Sequence, residues 1–166
     1  MPDKTKINLE VNGKQYELII GKDITPSDTL AETLRNNLGL LGTKISCDRG
    51  ACGACTVIIK DKAVLSCTTL TVECDGMSVT TIEGLEDPKT GVLDPLQQSF
   101  IDHTAFQCGF CTPGIIMTVK ALLNKKPKPK EDEIKQALSG NFCRCISHYE
   151  VLEAVTAVIE GGKYGK

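Results

Sequence analysis

Cys47-Asp-Arg-Gly-Ala-Cys52-Gly-Ala-Cys55 crowds three thiols into one short loop, and Cys67 follows after a β-patterned segment. Gly50, Ala51, Gly53 and Ala54 carry almost no side chain, so the backbone can curl tightly and bring its N–H groups up to whatever the sulfurs hold. The C-x4-C-x2-C…C spacing fits a 2Fe-2S site. Zinc is the main rival. Structural zinc sites usually pair two separate C-x2-4-C knuckles, whereas three of these four cysteines share a loop.

Working outward from this loop, the residues before and after it alternate with a period of two. Ile7, Leu9 and Val11 alternate with polar neighbours, Asn12-Gly13 is a hairpin signal, and Tyr16, Leu18 and Ile20 resume the alternation. Asp28 to Asn37 carries Leu30, Leu34 and Leu38 at helical spacing and stops at Gly39. Thr56–Ile59 and Ala63–Ser66, joined through Lys60-Asp61-Lys62, read as a second hairpin, and Val79–Ile82 as a last strand.

Near Glu83-Gly84 the pattern changes to a period of 3.6, which divides the chain into residues 1–84 and residues 85–166. Asp94-Pro95 opens a helix to about His103, and Thr112-Pro113 opens another to about Leu123, with Ile115, Ile116, Val119, Leu122 and Leu123 as its apolar stripe. A third helix spans about Lys130–Leu138. A fourth spans about His148–Ile159 and presents Val151, Leu152, Val155 and Val158. The expected class is α+β, a mostly β half followed by a small four-helix bundle. Cys108-Gly-Phe-Cys111 and Cys143-Arg-Cys145 both precede helix starts, where free N–H groups and partial positive charge favour thiolates. By spacing alone this second set stays open between zinc, a redox dithiol and another iron-sulfur cluster.

The chain has 166 residues with 19 Lys+Arg against 21 Asp+Glu, which argues against a nucleic-acid-binding face. Nowhere do about 18 apolar residues run together, and the first residues lack an apolar signal core, so neither a membrane nor secretion is signalled. A cytoplasmic location is expected, and there nine cysteines suggest metal before disulfides. No Ser-His-Asp set, Walker loop or catalytic carboxylate pair is apparent.

Three motifs taken together, Gly42-Thr-Lys-Ile-Ser-Cys47 through Cys55-Thr-Val, Gln107-Cys-Gly-Phe-Cys-Thr-Pro-Gly114 and Gly140-Asn-Phe-Cys-Arg-Cys145, resemble the small iron-sulfur subunit of the xanthine oxidase family of molybdenum hydroxylases. The resemblance covers about residues 5 to 160. It implies that Cys47, Cys52, Cys55 and Cys67 hold one 2Fe-2S cluster in a β-grasp ferredoxin-like domain, and that Cys108, Cys111, Cys143 and Cys145 hold a second in a helical domain. It further implies an electron-transfer role, with no substrate-transforming site on this chain. The expected partners are a large subunit that binds molybdopterin and a medium subunit that binds FAD, or another acceptor, in a heterotrimer or a dimer of such heterotrimers. Gln107 would contact the pterin of the large subunit. The rival readings are a free-standing two-cluster ferredoxin and a structural zinc protein.

Ser46 stands where the family pattern has Gly, and Ile146-Ser147-His148 replaces Thr-Gly-Tyr. Cys74 belongs to neither quartet and reads as a buried filler. His103 and His148 would suit a site with two His ligands, but eight cysteines already complete two sets of four. Arg49 and Arg144 lie between ligands, either to offset thiolate charge or simply to face solvent or a partner.

Overall fold

A computed structural model of the chain describes residues 5–162. Its first half is a five-stranded sheet. Strands β1 (Lys6–Val11) and β2 (Lys14–Ile19) pair antiparallel through a two-residue turn in which Asn12 and Gly13 both have positive φ. Strands β3 (Thr56–Ile59) and β4 (Lys62–Leu65) form a second hairpin. Its turn is Lys60-Asp61 alone, both left-handed, so Lys62 belongs to the strand rather than the loop. With β5 (Ser78–Thr80) the sheet order is β2-β1-β5-β3-β4, and β5 runs parallel to β1 but antiparallel to β3.

The helix over Asp28–Asn37 takes a mixed form. Thr29 caps it in a capping box with Glu32, one α-turn follows as α1 (Leu30–Glu32), and Thr33–Asn37 widens into a π-turn. The widening coincides with the fully buried Thr33, whose hydroxyl lies 2.7 Å from that of Thr71. Leu38 N–H accordingly donates to Thr33 O, and Gly39 ends the segment in left-handed geometry. Leu30 and Leu34 from this segment join Leu9, Val11, Val57, Ile59 and Val79 in one apolar core. Each such buried side chain contributes about 1.5–3 kcal/mol.

The second half contains α2 (Pro95–Asp102), α3 (Thr112–Lys125), α4 (Glu131–Leu138) and α5 (His148–Glu160). Asp94 caps α2 by accepting from Leu96 N–H, with Pro95 at the first helical position. Leu96, Phe100, Ile115, Val119, Leu123, Ile134, Leu138, Val151 and Val155 share its core. Ser99 Oγ donates to Ala154 O at 2.7 Å and ties α2 to α5.

All of β3 is buried, although an edge-of-core strand would alternate, because α3 covers its second face. Ile58 packs there against Met117 and Ala121. The same contact explains why α3 is buried beyond its expected stripe: it faces the helical core on one side and the sheet on the other. No helix among the described residues is long and apolar enough to cross a membrane.

Candidate metal centres

The 47–55 loop is shaped by three left-handed residues, Asp48, Gly50 and Gly53. Their turns aim backbone N–H groups inward. Ala51 N–H donates to Cys47 Sγ at 3.2 Å. The Cys47 thiol is lowered to about 7 by backbone donors, Arg49 first and then Ala51, with help from Cys52. Cys55 and Cys67 lie deeper, at 2% and 5% exposure, where the start of β3 and the short helical turn Ser66–Thr68 meet. Burial pushes the Cys67 thiol up to about 12, and its hydrogen bond with Cys55 adds to the rise. Cys47 thus interacts with Cys52, and Cys67 with Cys55 and, through charge, with Cys47.

The second quartet forms where Cys111, the cap of α3, meets the loop that leads into α5. Cys108 and Cys145 Sγ atoms are 3.7 Å apart. Cys111 and Cys143 form the other pair: burial and the hydrogen bond to Cys143 push Cys111 up to about 12. Burial also acts to raise Cys143, but hydrogen bonds from the Cys111 thiol and the Ile146 and Cys145 N–H groups outweigh it and hold that thiol low. Ile146 N–H reaches Cys143 Sγ at 3.4 Å.

The second site therefore presents Cys108 and Cys145 as a close pair. A separation of 3.7 Å is the edge of a tetrahedron built on metal–sulfur bonds of about 2.3 Å, so one such pair suits one metal. Among the described residues no three His, Cys, Asp or Glu side chains gather closely enough to enclose a single ion.

The two loops touch. Phe142 N–H, beside Cys143, donates to Cys52 O at 2.9 Å. Asn141 Nδ2 donates to Gly53 O at 3.3 Å. Gly114, in the first turn of α3, lies so close that a Cβ there would stand 2.1 Å from Gly53 O. Asn141, Phe142 and Gly114 lie inside the quoted motifs, yet cysteine spacing gave no sign of their role in joining the loops.

Comparison with known proteins agrees with this arrangement. Residues 10–78 match the 2Fe-2S iron-sulfur cluster binding domain and residues 81–156 the 2Fe-2S binding domain that follows it. The chain is 44% identical over 153 residues to the nicotine 6-hydroxylase small subunit of Paenarthrobacter nicotinovorans, covering 92% of this chain and 88% of that one. It is 41% identical over 159 residues to the nicotinate dehydrogenase small FeS subunit of Eubacterium barkeri, covering 95% and 97%. It belongs to the small iron-sulfur subunits of the xanthine oxidase family of molybdenum hydroxylases. Among solved structures, quinoline 2-oxidoreductase from Pseudomonas putida 86 superposes with a TM-score of 0.85 at 38% identity, over 95% of this chain and 97% of that one. Aldehyde oxidoreductase from Desulfovibrio gigas gives the same TM-score at 36% identity, but this chain spans only 17% of that longer polypeptide. The same unit thus occurs both fused to other domains and as a separate subunit.

As a member of this family the protein is an iron-sulfur electron-transfer subunit of an oxidoreductase and carries two 2Fe-2S domains. In this small iron-sulfur subunit Gln107 is exposed beside the exposed Cys108. Cys74 is 1% exposed within the sheet core, and burial pushes its thiol up to about 11. His103 Nδ1 lies 2.9 Å from Ser99 O of its own helix, and His148 is exposed at the start of α5. Arg49 and Arg144 are both exposed. Ser147, at one of the family departures, caps α5 by accepting from Tyr149 N–H at 3.0 Å.

Proposed function

We propose that Cys47, Cys52, Cys55 and Cys67 ligate one 2Fe-2S cluster and that Cys108, Cys111, Cys143 and Cys145 ligate the other. The gathering of the thiols supports this reading: Cys108 and Cys145 Sγ lie 3.7 Å apart, and Cys47 with Cys52, Cys55 with Cys67 and Cys111 with Cys143 are neighbours. The clusters supply one-electron chemistry, and the protein relays single electrons between FAD or another acceptor and the molybdenum centre of a large subunit.

The chain's own part is to hold and tune. Backbone donors to Cys47 and Cys143 answer the negative charge of the thiolates and favour the ligating form. The Phe142 N–H to Cys52 O hydrogen bond joins a ligand of one quartet to the neighbour of a ligand of the other, so a single hydrogen bond interrupts an otherwise covalent route. The two halves are divided at 84/85, and α2–α5 act as a four-helix bundle around the second set of thiols.

The exposed Cys108–Cys145 edge, with exposed Gln107 next to it, supports docking of the large subunit there and contact of Gln107 with its pterin. The proposed assembly is a cytoplasmic heterotrimer, dimerised in the native complex, in which the large subunit binds molybdopterin and the medium subunit binds FAD.

Anaerobic purification, iron analysis and EPR of the reduced protein test the ligand assignment. Four irons per chain, two for each 2Fe-2S domain, and two distinct signals are expected. Cys108→Ser should abolish one signal and preserve the other; loss of neither, or of the signal assigned to the 47–67 set alone, refutes it.

A further inference from the structure

The two thiol sets come from different halves of the chain, so something must fix one against the other. Packing of Ile58 on Met117 and Ala121 sets the sheet against α3 but lies behind the loops. At the loops themselves the contacts include the Phe142–Cys52 hydrogen bond, the close approaches of Gly114 and of Gly140 O to Gly53, and the Asn141 amide on Gly53 O. Asn141 makes the one side-chain contact in this set.

The residue is 7% exposed, and burying an amide costs free energy unless it is paired. The Gly53 carbonyl does not depend on it. Thr56 N–H and Thr56 Oγ1 already donate to that oxygen at 3.2 and 2.7 Å. The local shape of the 47–55 loop is therefore complete without Asn141, and what its amide adds is a tie across 88 residues of sequence.

We infer that Asn141 is a positioning residue for electron transfer between the two clusters. It locks the loop carrying Cys52 to the loop carrying Cys143 and so holds the Phe142 N–H against Cys52 O. Electron tunnelling falls steeply with separation and with each lengthened through-space gap, so a tie at this point acts on the transfer step while leaving all eight thiols in place. This inference rests on the electron-relay reading and adds to it a residue that ligates nothing.

The test uses the whole complex with Asn141→Ala, which removes the donor, and Asn141→Asp, which sets a carboxylate against the Gly53 carbonyl. Both are reduced and examined by low-temperature EPR for spin–spin splitting between the clusters, and by flash reduction for the intercluster rate. The expected result is full iron content, unchanged individual g-values, a narrowed splitting and a rate lowered about tenfold, the scale on which outer-shell partners act. The aspartate variant should show the larger change. Wild-type splitting and rate in both variants would overturn the inference, and so would loss of a cluster in both, which would make Asn141 a folding residue. Failure of the relay reading itself shows earlier and separately, as unaltered protein lacking two EPR signals.

Discussion

The sheet-side and helix-side thiol sets differ in depth. Cys55 and Cys67 are 2% and 5% exposed, whereas Cys108 and Cys145 stand at the surface. The cause is architectural. Around the first set, the start of β3 and the turn after β4 bury Cys55 and Cys67, while Cys47 and Cys52 on the loop stay half-buried. Around the second, where the start of α3 meets the loop before α5, Cys111 and Cys143 are half-buried and Cys108 and Cys145 exposed. The first set thus holds two fully buried thiols, while the second holds none and presents two at the surface.

The largest expected effect tests this difference directly. Cys67→Ser should eliminate the signal of the first cluster, and the hydroxyl set in an apolar site should also destabilise the apoprotein, by about 1–3 kcal/mol. Cys145→Ser should eliminate the second signal with little change in apoprotein melting, because that sulfur is exposed. Equal melting shifts for the two apoproteins would break the contrast between a buried and an exposed thiol.

Next in size is Phe100→Ala. Phe100 is 1% exposed at the centre of the helical core, and its truncation should cost about 3–5 kcal/mol in denaturant unfolding. The second cluster should be lost from this variant on mild heating before the first. Simultaneous loss would show that the halves unfold as one unit.

Ser147→Ala removes the cap of α5 and should cost about 1 kcal/mol, while Ser147→Gly, which restores the family residue, should cost only a few tenths. Thermal melts of the two variants side by side sharpen the role of the departure near the open site. A Gly variant as damaged as the Ala variant would assign Ser147 a role beyond capping.

The smallest effect is a pH dependence. Lys126, followed by the Lys130 N–H, holds the Glu133 carboxyl below its ordinary 4.5. A carboxyl lowered on folding contributes stability that is present above its unfolded value and is lost as pH falls through the folded value. The connection between α3 and α4 should therefore loosen as pH drops below about 4.5, and Glu133→Gln should flatten that dependence. An NMR titration of the Glu133 carboxyl carbon with its midpoint at or above the ordinary value would contradict this.

Local structure was legible where local chemistry decides it. β3 begins and ends where its β-branched run does, α2 starts at Asp94-Pro95, and α4 and α5 lie within a residue or so of their apolar periods. Other details were not. The π-turn at Thr33–Asn37 coincides with a hydroxyl contact to Thr71, a residue far along the chain, and helical periodicity carries no trace of it. The expected last strand Val79–Ile82 shifts to Ser78–Thr80, because pairing with β1 and β3 sets its limits and Ile82 turns away toward the helical core. The burial of Met117 and Ala121 on α3 likewise reflects a partner surface, Ile58, that no single-helix pattern contains.

The sequence by itself determined the eight ligand candidates and the two-part plan, because thiol spacing, small loop residues and the switch from a period of two to 3.6 are properties of neighbouring residues. Tertiary structure alone decided that Cys108 and Cys145 come together, that Cys55 and Cys67 are buried while Cys108 and Cys145 stand at the surface, and where Asn141 and Phe142 fasten one loop to the other. Those outcomes depend on backbone segments up to 88 residues apart meeting at hydrogen-bond distance, and packing of the two halves, not any local pattern, brings them there.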